Sequence, residues 1–174
     1  HLDGARISNA AASLGTSLRA FTTDAGVDAV SLGGTKNGAM GAEAAVILNP
    51  ELVPAMKYVR KSAMQLASKM RFISIQLVSM FEGDLWLKNA QHSNAMAQAL
   101  YQGIKDIAGV QVVQPQANAL FPILPAASIE PLQNVAKFYV WDHMISQVRW
   151  MCSWDTTQAD VDNFVAAVKS ELAN

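Results

Sequence analysis

The sequence contains a single cysteine, Cys152, and therefore no internal disulfide. No uninterrupted apolar run approaches the roughly 18 to 20 residues of a membrane-spanning helix, and no basic-then-apolar signal pattern is visible at the N-terminus. The net charge is −1, with 13 Lys and Arg against 14 Asp and Glu, which gives no general attraction to nucleic acid or acidic membranes. We therefore expect a cytoplasmic protein without nucleic-acid or membrane partners, whose function depends on a local site.

The first part of the chain has the pattern of a helix followed by two strands. The 174 residues, 51% of them apolar, suffice for one ordinary domain or two small ones. Two short apolar runs at 27–32 and 42–48 predict buried strands, and a helix is predicted over 9–19. The glycine-rich segment between the runs is too short for a helix, so the two strands should be antiparallel.

A long helical region is predicted after Pro50, with a possible bend near Ser68. Its apolar residues recur at spacings of four and three over about three heptads, and they are Val59, Ala63, Leu66, Met70, Ile73, Leu77 and Met80. A basic cluster accompanies this stripe and comprises Lys57, Arg60, Lys61, Lys69 and Arg71. Such a stripe suits either a domain core or a subunit contact.

The remaining chain predicts a small α+β layer. Met96, Leu100 and Ile104 line a helix that should end at Gly109. Short strands are predicted at 110–113, 119–124, 137–141 and 147–154, with a helix at 128–135 between them. Thr157 and Asp160 form a capping box for a last helix, whose apolar stripe is Val161, Phe164, Val165, Val168 and Leu172.

The segment GGTKNG is the first candidate for chemistry. It is not a phosphate-binding P-loop, because Lys36 follows Thr35 rather than glycine and precedes Asn37. A lysine among small residues at the end of a buried strand could be desolvated by a close ligand and become a nucleophilic amine. The alternative is a solvated turn lysine.

The segment HLDGAR favours the nucleophile. Asp3 is expected just past a strand end, with the strand itself absent, and Arg6 enters the next helix. A carboxylate, an arginine and a lysine on neighbouring strand ends are what pyridoxal phosphate chemistry requires. The lysine forms a Schiff base with the cofactor aldehyde, the carboxylate keeps the pyridine nitrogen protonated, and the cation orients an anionic group.

Several segments follow one another in the order found in one enzyme family. They read HLDGARISNAA, SLGGTKNGAMGAEAAVILNPEL, SKMRFISIQ followed by LWLKNAQHSNAMAQAL, and VRWMCSWDTTQADVD. Through these segments, nearly the whole chain resembles the low-specificity threonine aldolases. That family belongs to the aldolase and β-eliminating lyase group of fold-type I pyridoxal phosphate (PLP) enzymes. The resemblance implies an α/β, fold-type I PLP-dependent transferase-like fold. Residues 1–80 would be the C-terminal part of the PLP-binding large domain, and 81–174 the small α+β C-terminal domain.

The resemblance also implies roles for individual residues. Lys36 matches the catalytic Schiff-base lysine, Asp3 the partner of the pyridine nitrogen, and Arg6 an arginine near the cofactor phenolate and the substrate carboxylate. Arg149 matches an arginine of the small domain that binds the α-carboxylate. Arg71, and with it Lys61, matches a basic segment near the cofactor phosphate, and His1 lies beside the aspartate.

Each of the less specific residues has a structural alternative. Arg149 could be an edge-strand arginine that pairs with Asp155, and Arg71 with Lys61 could belong to a solvated helix face. No metal site is predicted, because His1 and Asp3 lack further ligands at a suitable spacing. His92, His143 and the four tryptophans are expected to serve structure.

The family's N-terminal half has no counterpart in these residues. We therefore expect a partner segment, in the same or a separate polypeptide, that completes the pocket, and a homodimer or homotetramer. The implied reaction is cleavage of a small β-hydroxy-α-amino acid, threonine or allo-threonine, to glycine and an aldehyde, with this chain alone incomplete and inactive. The alternatives are a β-eliminating lyase or aminotransferase-like enzyme, and a non-catalytic dimerisation fragment.

Overall fold

The computed structural model describes residues 1–173, and the chain divides into two compact units. The first unit runs from His1 to Ala90, and the second begins at Gln91. The domain boundary between residues 80 and 81 remains a prediction. No helix in the described part of the chain is both long and apolar enough to cross a membrane.

A three-stranded sheet is the centre of the first unit. It consists of β1 (Leu2–Gly4), β2 (Ala29–Gly33) and β3 (Glu43–Ile47), with β2 in the middle. β2 and β3 are antiparallel, as predicted, whereas β1 runs parallel to β2. The expectation that the strand carrying Asp3 is absent is therefore wrong. Residues 2–4 form that strand because they supply hydrogen-bonding partners for one side of β2.

Helix α1 (Ile7–Leu14) connects β1 to the rest of this unit and buries Ile7 and Ala11. The predicted helix over 9–19 is thus shorter than expected at its C-terminal end. The helix ends early because a separate 3-10 turn begins at Leu18–Phe21. The Ser17 side chain caps this turn by accepting a hydrogen bond from Ala20 N. Local capping therefore ends one helix and begins another.

The region after Pro50 forms two helices instead of one continuous stripe. These are α2 (Val53–Ser62) and α3 (Arg71–Phe81), and Met64 between them has a positive φ of 55°. No residue of α2 is buried, and Val59 and Leu66 are each 50% exposed. In α3 only Met80 is buried. The prediction of a single long helix is therefore wrong. The apolar stripe of α2 packs against no partner among the described residues, so packing does not hold the two helices in one line. Neither glycine nor proline marks the break in the sequence.

The second unit is an α+β layer, as predicted. Its antiparallel sheet has the order β4 (Ala119–Leu120), β6 (Gln147–Met151), β5 (Tyr139–Asp142). The helices are α4 (Leu85–Ile104), which enters from the first unit, α5 (Ala126–Val135) and α6 (Gln158–Leu172). The predicted strand at 110–113 is reduced to one bridge between Gln111 and Ile123, and α4 ends at Ile104, before Gly109.

Alternation along β6 separates the core of this unit from an open sheet face. Val148 and Trp150 are buried with Cys152, while Arg149 between them is half-buried. The core also takes Leu100 from α4, and its other helical members are Ala97, Ile104, Leu132, Val161, Val165 and Val168. Full burial of one such valine or leucine stabilises the fold by roughly 1.5–3 kcal/mol.

Two local features of the second unit follow from the sequence. The capping box of α6 is confirmed, since Thr157 Oγ1 accepts from Asp160 N and Asp160 Oδ2 accepts from Thr157 N. The Thr157 hydroxyl also donates to Asp160 Oδ2 at 2.7 Å, and this hydrogen bond, followed by that from Thr157 N, lowers the pKa of Asp160. Burial raises the pKa of the Cys152 thiol to about 11. Cys152 therefore stays protonated at neutral pH and is a poor nucleophile.

Candidate active site

Asp3 and Lys36 lie at the same edge of the first sheet. Asp3 is in register with Ser31 of the parallel neighbour β2, and β2 leads into the 3-10 turn Thr35–Asn37 that carries Lys36. The carboxyl ends of parallel strands meet at one edge of a sheet, where ligands commonly bind. Asp3 and Lys36 are therefore both at the carboxyl end of this parallel pair, and both residues are exposed.

The carboxylate of Asp3 lies on the open face of this sheet. Asp3, Ser31 and Ala45 pair in register across the three strands, and all three are exposed. The opposite face carries Val30, which is buried, and its partner Val46, which is half-buried. Because neighbouring residues in register point to the same side, a flat ligand on the open face could reach Asp3.

The turn after Asp3 is held against the strand that leads to Lys36. Asp3 Oδ1 accepts a hydrogen bond from Ala5 N at 3.0 Å, which fixes the carboxylate at the start of the turn. A Cβ atom at Gly33 would lie 2.7 Å from the carbonyl oxygen of Ala5. Only glycine at position 33 therefore permits this approach without moving one of the two segments.

Hydrogen bonds fasten the loop around Lys36 to its neighbours. Gly34 N donates to Ala42 O at 3.0 Å, and Thr35 N donates to Glu43 Oε1 at 3.2 Å. Gly41 N donates to Gln76 Oε1 at 3.1 Å, which connects the loop to α3. The lysine is thus carried by a closed loop between β2 and β3.

Lys36 is exposed, so the described residues by themselves do not desolvate its amine. The 3-10 turn carries the side chain beyond the end of β2, away from the small residues that precede it. Burial of the amine by this unit is therefore not available to activate it. Any further desolvation has to come from a bound ligand or another polypeptide segment.

The other residues predicted in the first unit occupy different positions around this edge. Arg6 lies half-buried between β1 and α1, at the carboxyl end of the strand. His1 is exposed and precedes β1, and Arg71 is exposed at the start of α3. The helix that begins at Arg71 reaches the lysine loop through the Gln76 hydrogen bond.

Arg149 belongs to the second unit, on the open face of its sheet. Its guanidinium carbon lies 5.5 Å from the centre of the Trp141 ring, an arrangement typical of a cation–π contact. Trp141 is 57% exposed and meets the ring of Phe121 edge-on at 5.2 Å. The edge-strand alternative is wrong, because β6 is the central strand and no ion pair joins Arg149 to Asp155 within residues 1–173.

Residues that the sequence did not single out complete the surroundings of Lys36. Glu43 and Gln76 each accept a hydrogen bond from the lysine loop. The side chains of Asn37 and Asn89 form hydrogen bonds that join the loop to the start of α4. These partners are separated by 8 to 52 residues along the chain. No local spacing rule could have revealed them, since polar residues at such separations follow no helical or strand period.

The histidines and tryptophans mostly have structural contacts. The His92 Nε2 atom lies 2.7 Å from the carbonyl oxygen of Thr156. Trp86 stacks on Phe81 at 5.9 Å, and Trp150 is buried against Phe164 at 4.8 Å. His143 is exposed in the turn between β5 and β6.

Comparison with known proteins identifies relatives along the whole chain. The family model described as beta-eliminating lyase matches residues 1–127. A low specificity L-threonine aldolase of Pseudomonas sp. (strain NCIMB 10558) is 40% identical over 175 aligned positions, which cover 99% of this chain and 50% of that protein. Its counterpart in Pseudomonas aeruginosa is 42% identical over 160 positions, covering 90% of this chain and 45% of that protein.

Solved structures agree with these sequence matches. A threonine aldolase from Leishmania major has a TM-score of 0.85 and 30% identity, covering 98% of this chain and 51% of that one. A protein from Exiguobacterium sp. 255-15, assigned to the aromatic amino acid beta-eliminating lyases or threonine aldolases, has a TM-score of 0.72, and at 14% identity shows the fold alone. The predicted fold class, the α/β architecture of fold-type I enzymes, is confirmed. The chain spans about half the length of the curated relatives it matches.

Proposed function

Because the chain belongs to the beta-eliminating lyase family, we propose that the full-length protein is a PLP-dependent aldehyde-lyase. It cleaves a β-hydroxy-α-amino acid, threonine or allo-threonine, to glycine and an aldehyde. The observation that carries the proposal is the placement of Asp3 and Lys36 at one edge of the first sheet. The relatives in the two Pseudomonas strains carry the name of this activity.

The residues at the sheet edge fit pyridoxal 5'-phosphate, the cofactor of this family. An exposed primary amine, that of Lys36, is the group that captures an aldehyde, and an exposed carboxylate, that of Asp3, is the group that pairs with a protonated ring nitrogen. When bound, the cofactor supplies an electron sink for the pair released at the substrate α-carbon. Gly33 lets the backbone of Ala5, two residues after Asp3, approach the end of β2, the strand that leads to Lys36.

Lys36 and Asp3 have different roles: Lys36 attaches the cofactor, and Asp3 supplies a negative charge beside its ring nitrogen. Lys36 Nζ would hold the cofactor covalently. Asp3, fixed by the Ala5 hydrogen bond at 3.0 Å, keeps a proton on the ring nitrogen by placing a negative charge beside it. Arg6, half-buried at the carboxyl end of β1, would bind the phenolate oxygen of the cofactor or the substrate carboxylate. His1 supports Asp3, and Arg71 serves the phosphate.

Arg149 binds the α-carboxylate of the substrate in this proposal. Its guanidinium can donate two parallel hydrogen bonds to a carboxylate, and the Trp141 ring restrains its plane. Holding the substrate in this way aligns the bond between the α- and β-carbons for cleavage. That bond breaks, the β-hydroxyl loses its proton to a base, and the α-carbon gains one.

The remaining wall of the pocket is proposed to come from outside these residues. The chain covers 45–50% of the length of its curated relatives, and Lys36 and Asp3 are exposed in it. A preceding segment or a separate polypeptide would bury them and supply the phosphate cradle. We further propose a homodimer or homotetramer in the cytoplasm.

A product assay tests the proposed reaction. The full-length protein, supplied with pyridoxal phosphate and threonine, is expected to release glycine and acetaldehyde in equal amounts, because cleavage at the α-carbon yields one of each. The 174-residue chain by itself should give no turnover. Release of an oxoacid and ammonia instead would favour β-elimination, to which the family model lends support, and would overturn the aldolase proposal.

A further inference from the structure

The lysine loop is joined to the start of α4 by a reciprocal pair of asparagine contacts. Asn37, which is 3% exposed, donates from Nδ2 to the backbone carbonyl of Trp86 at 2.8 Å. In return, Asn89 donates from Nδ2 to the backbone carbonyl of Asn37, also at 2.8 Å. All these residues belong to the first unit.

This pair fixes the backbone directly after Lys36. Asn89 binds the carbonyl of Asn37, the residue directly after Lys36. The residue directly before Lys36, Thr35, is held through its backbone amide by Glu43. Within the turn, Asn37 N donates to Gly34 O at 3.0 Å, and the bond from Gly38 N to Thr35 O is longer, at 3.4 Å. Both neighbours of Lys36 are thus tethered by side chains from outside the turn.

The exposed position of Lys36 makes these tethers important for direction. A buried lysine is oriented by the side chains around it, but the solvent-exposed side chain of Lys36 has many rotamers available. Among the described residues, its starting point and initial direction are set by the backbone of the turn. A shift of about 1 Å in such an anchor can cost a reaction about a hundredfold.

We propose that Asn89, acting through Asn37, is a positioning residue that sets the direction of Lys36 toward the cofactor aldehyde. This inference rests on the proposed function of Lys36. Asn89 does not touch the reacting atoms; it holds the peptide that presents them. Without its donor the carbonyl of Asn37, a residue that is 3% exposed, would lose its partner, and the peptide that follows Lys36 would lose one of the contacts that fix it.

Two variants remove the Asn89 donor in the full-length protein. Asn89→Leu keeps nearly the same side-chain volume, and Asn89→Ala provides a second variant if the leucine is not accepted. Asn163→Leu, at an exposed position on α6, makes the same chemical change away from the site. Thermal unfolding is recorded for each protein, so that only variants that fold are compared.

Two readouts separate positioning from simple support of the fold. Hydrogen–deuterium exchange over residues 33–41 reports the order of the turn, and borohydride reduction followed by peptide mass measurement reports cofactor bonded to Lys36. We expect Asn89→Leu to raise exchange in this segment and to weaken covalent cofactor capture by about tenfold. Asn163→Leu should match the unsubstituted protein in both.

The inference is overturned if Asn89→Leu and Asn89→Ala capture the cofactor as tightly as the unsubstituted protein, whether or not exchange rises. A failure of the proposed function has a different signature. In that case the unsubstituted protein itself would carry no cofactor on Lys36, and the positioning role would fall with it.

Discussion

Replacing Lys36 by alanine is expected to abolish the visible absorbance of bound cofactor and to lower lyase activity by roughly a thousandfold or more. In the proposed function the amine of Lys36 is the group that holds the cofactor covalently, and a methyl group cannot replace it as a nucleophile. Since Lys36 is exposed in the middle of a short turn, removing its side chain leaves no cavity in the core. The fold should therefore be retained while the chemistry is lost.

Lys88→Ala is the matched control for this experiment. Lys88 is also exposed and lies in the same unit, on α4. It should retain both the absorbance band and the activity. A Lys36→Ala protein that keeps the band of the unsubstituted enzyme would show that another amine holds the cofactor.

Replacing Asp3 by asparagine should lower kcat by roughly a hundredfold to ten-thousandfold, the range typical of a lost proton-controlling group. Asparagine has the same shape, and its carbonyl oxygen can still accept the hydrogen bond from Ala5 N that Asp3 Oδ1 accepts at 3.0 Å. The turn is therefore kept and only the negative charge is removed. Without that charge the ring nitrogen loses its proton more readily, and the cofactor withdraws electrons less effectively.

The measurement is steady-state kinetics together with the absorbance spectrum of the purified variant. Covalent cofactor binding should persist, because Lys36 is intact, so the defect should lie in kcat. Asp106→Asn, a change at an exposed position of the second unit, serves as the control. An Asp3→Asn enzyme with unchanged kcat would remove Asp3 from the proposed role.

Features with local causes could be predicted from the sequence. The antiparallel pair β2 and β3 follows from two apolar runs and a loop too short for a helix. The capping box of α6 follows from the spacing of Thr157 and Asp160, and the buried stripe of that helix from its period. Each of these depends on residues close together in the chain.

Features that depend on residues far apart in the chain could not be predicted from the sequence. The break between α2 and α3 at Met64 has no glycine or proline to mark it, and the apolar spacing continues across it. The central position of Arg149 depends on strand order, because β6 lies between β4 and β5. The contacts of Asn37 join residues about fifty positions apart, and no periodic pattern encodes them.

For the candidate site, too, one part could be predicted from the sequence and another part could not. The residue types in HLDGAR and GGTKNG indicated which groups could carry the chemistry. Their placement at one sheet edge depends on the parallel pairing of β1 with β2, and on the approach of Ala5 to Gly33. Lys36 is exposed, and the sequence had left open both a solvated turn lysine and a lysine that a bound ligand desolvates.

The most direct test of the central claim locates the cofactor on the chain. The full-length protein is loaded with pyridoxal 5'-phosphate, reduced with borohydride, digested and analysed by mass spectrometry. The account predicts that the added phosphopyridoxyl mass is found on the peptide that contains Lys36. If the mass is found on a different lysine, or on no peptide of this chain, the claim that Lys36 holds the cofactor is contradicted.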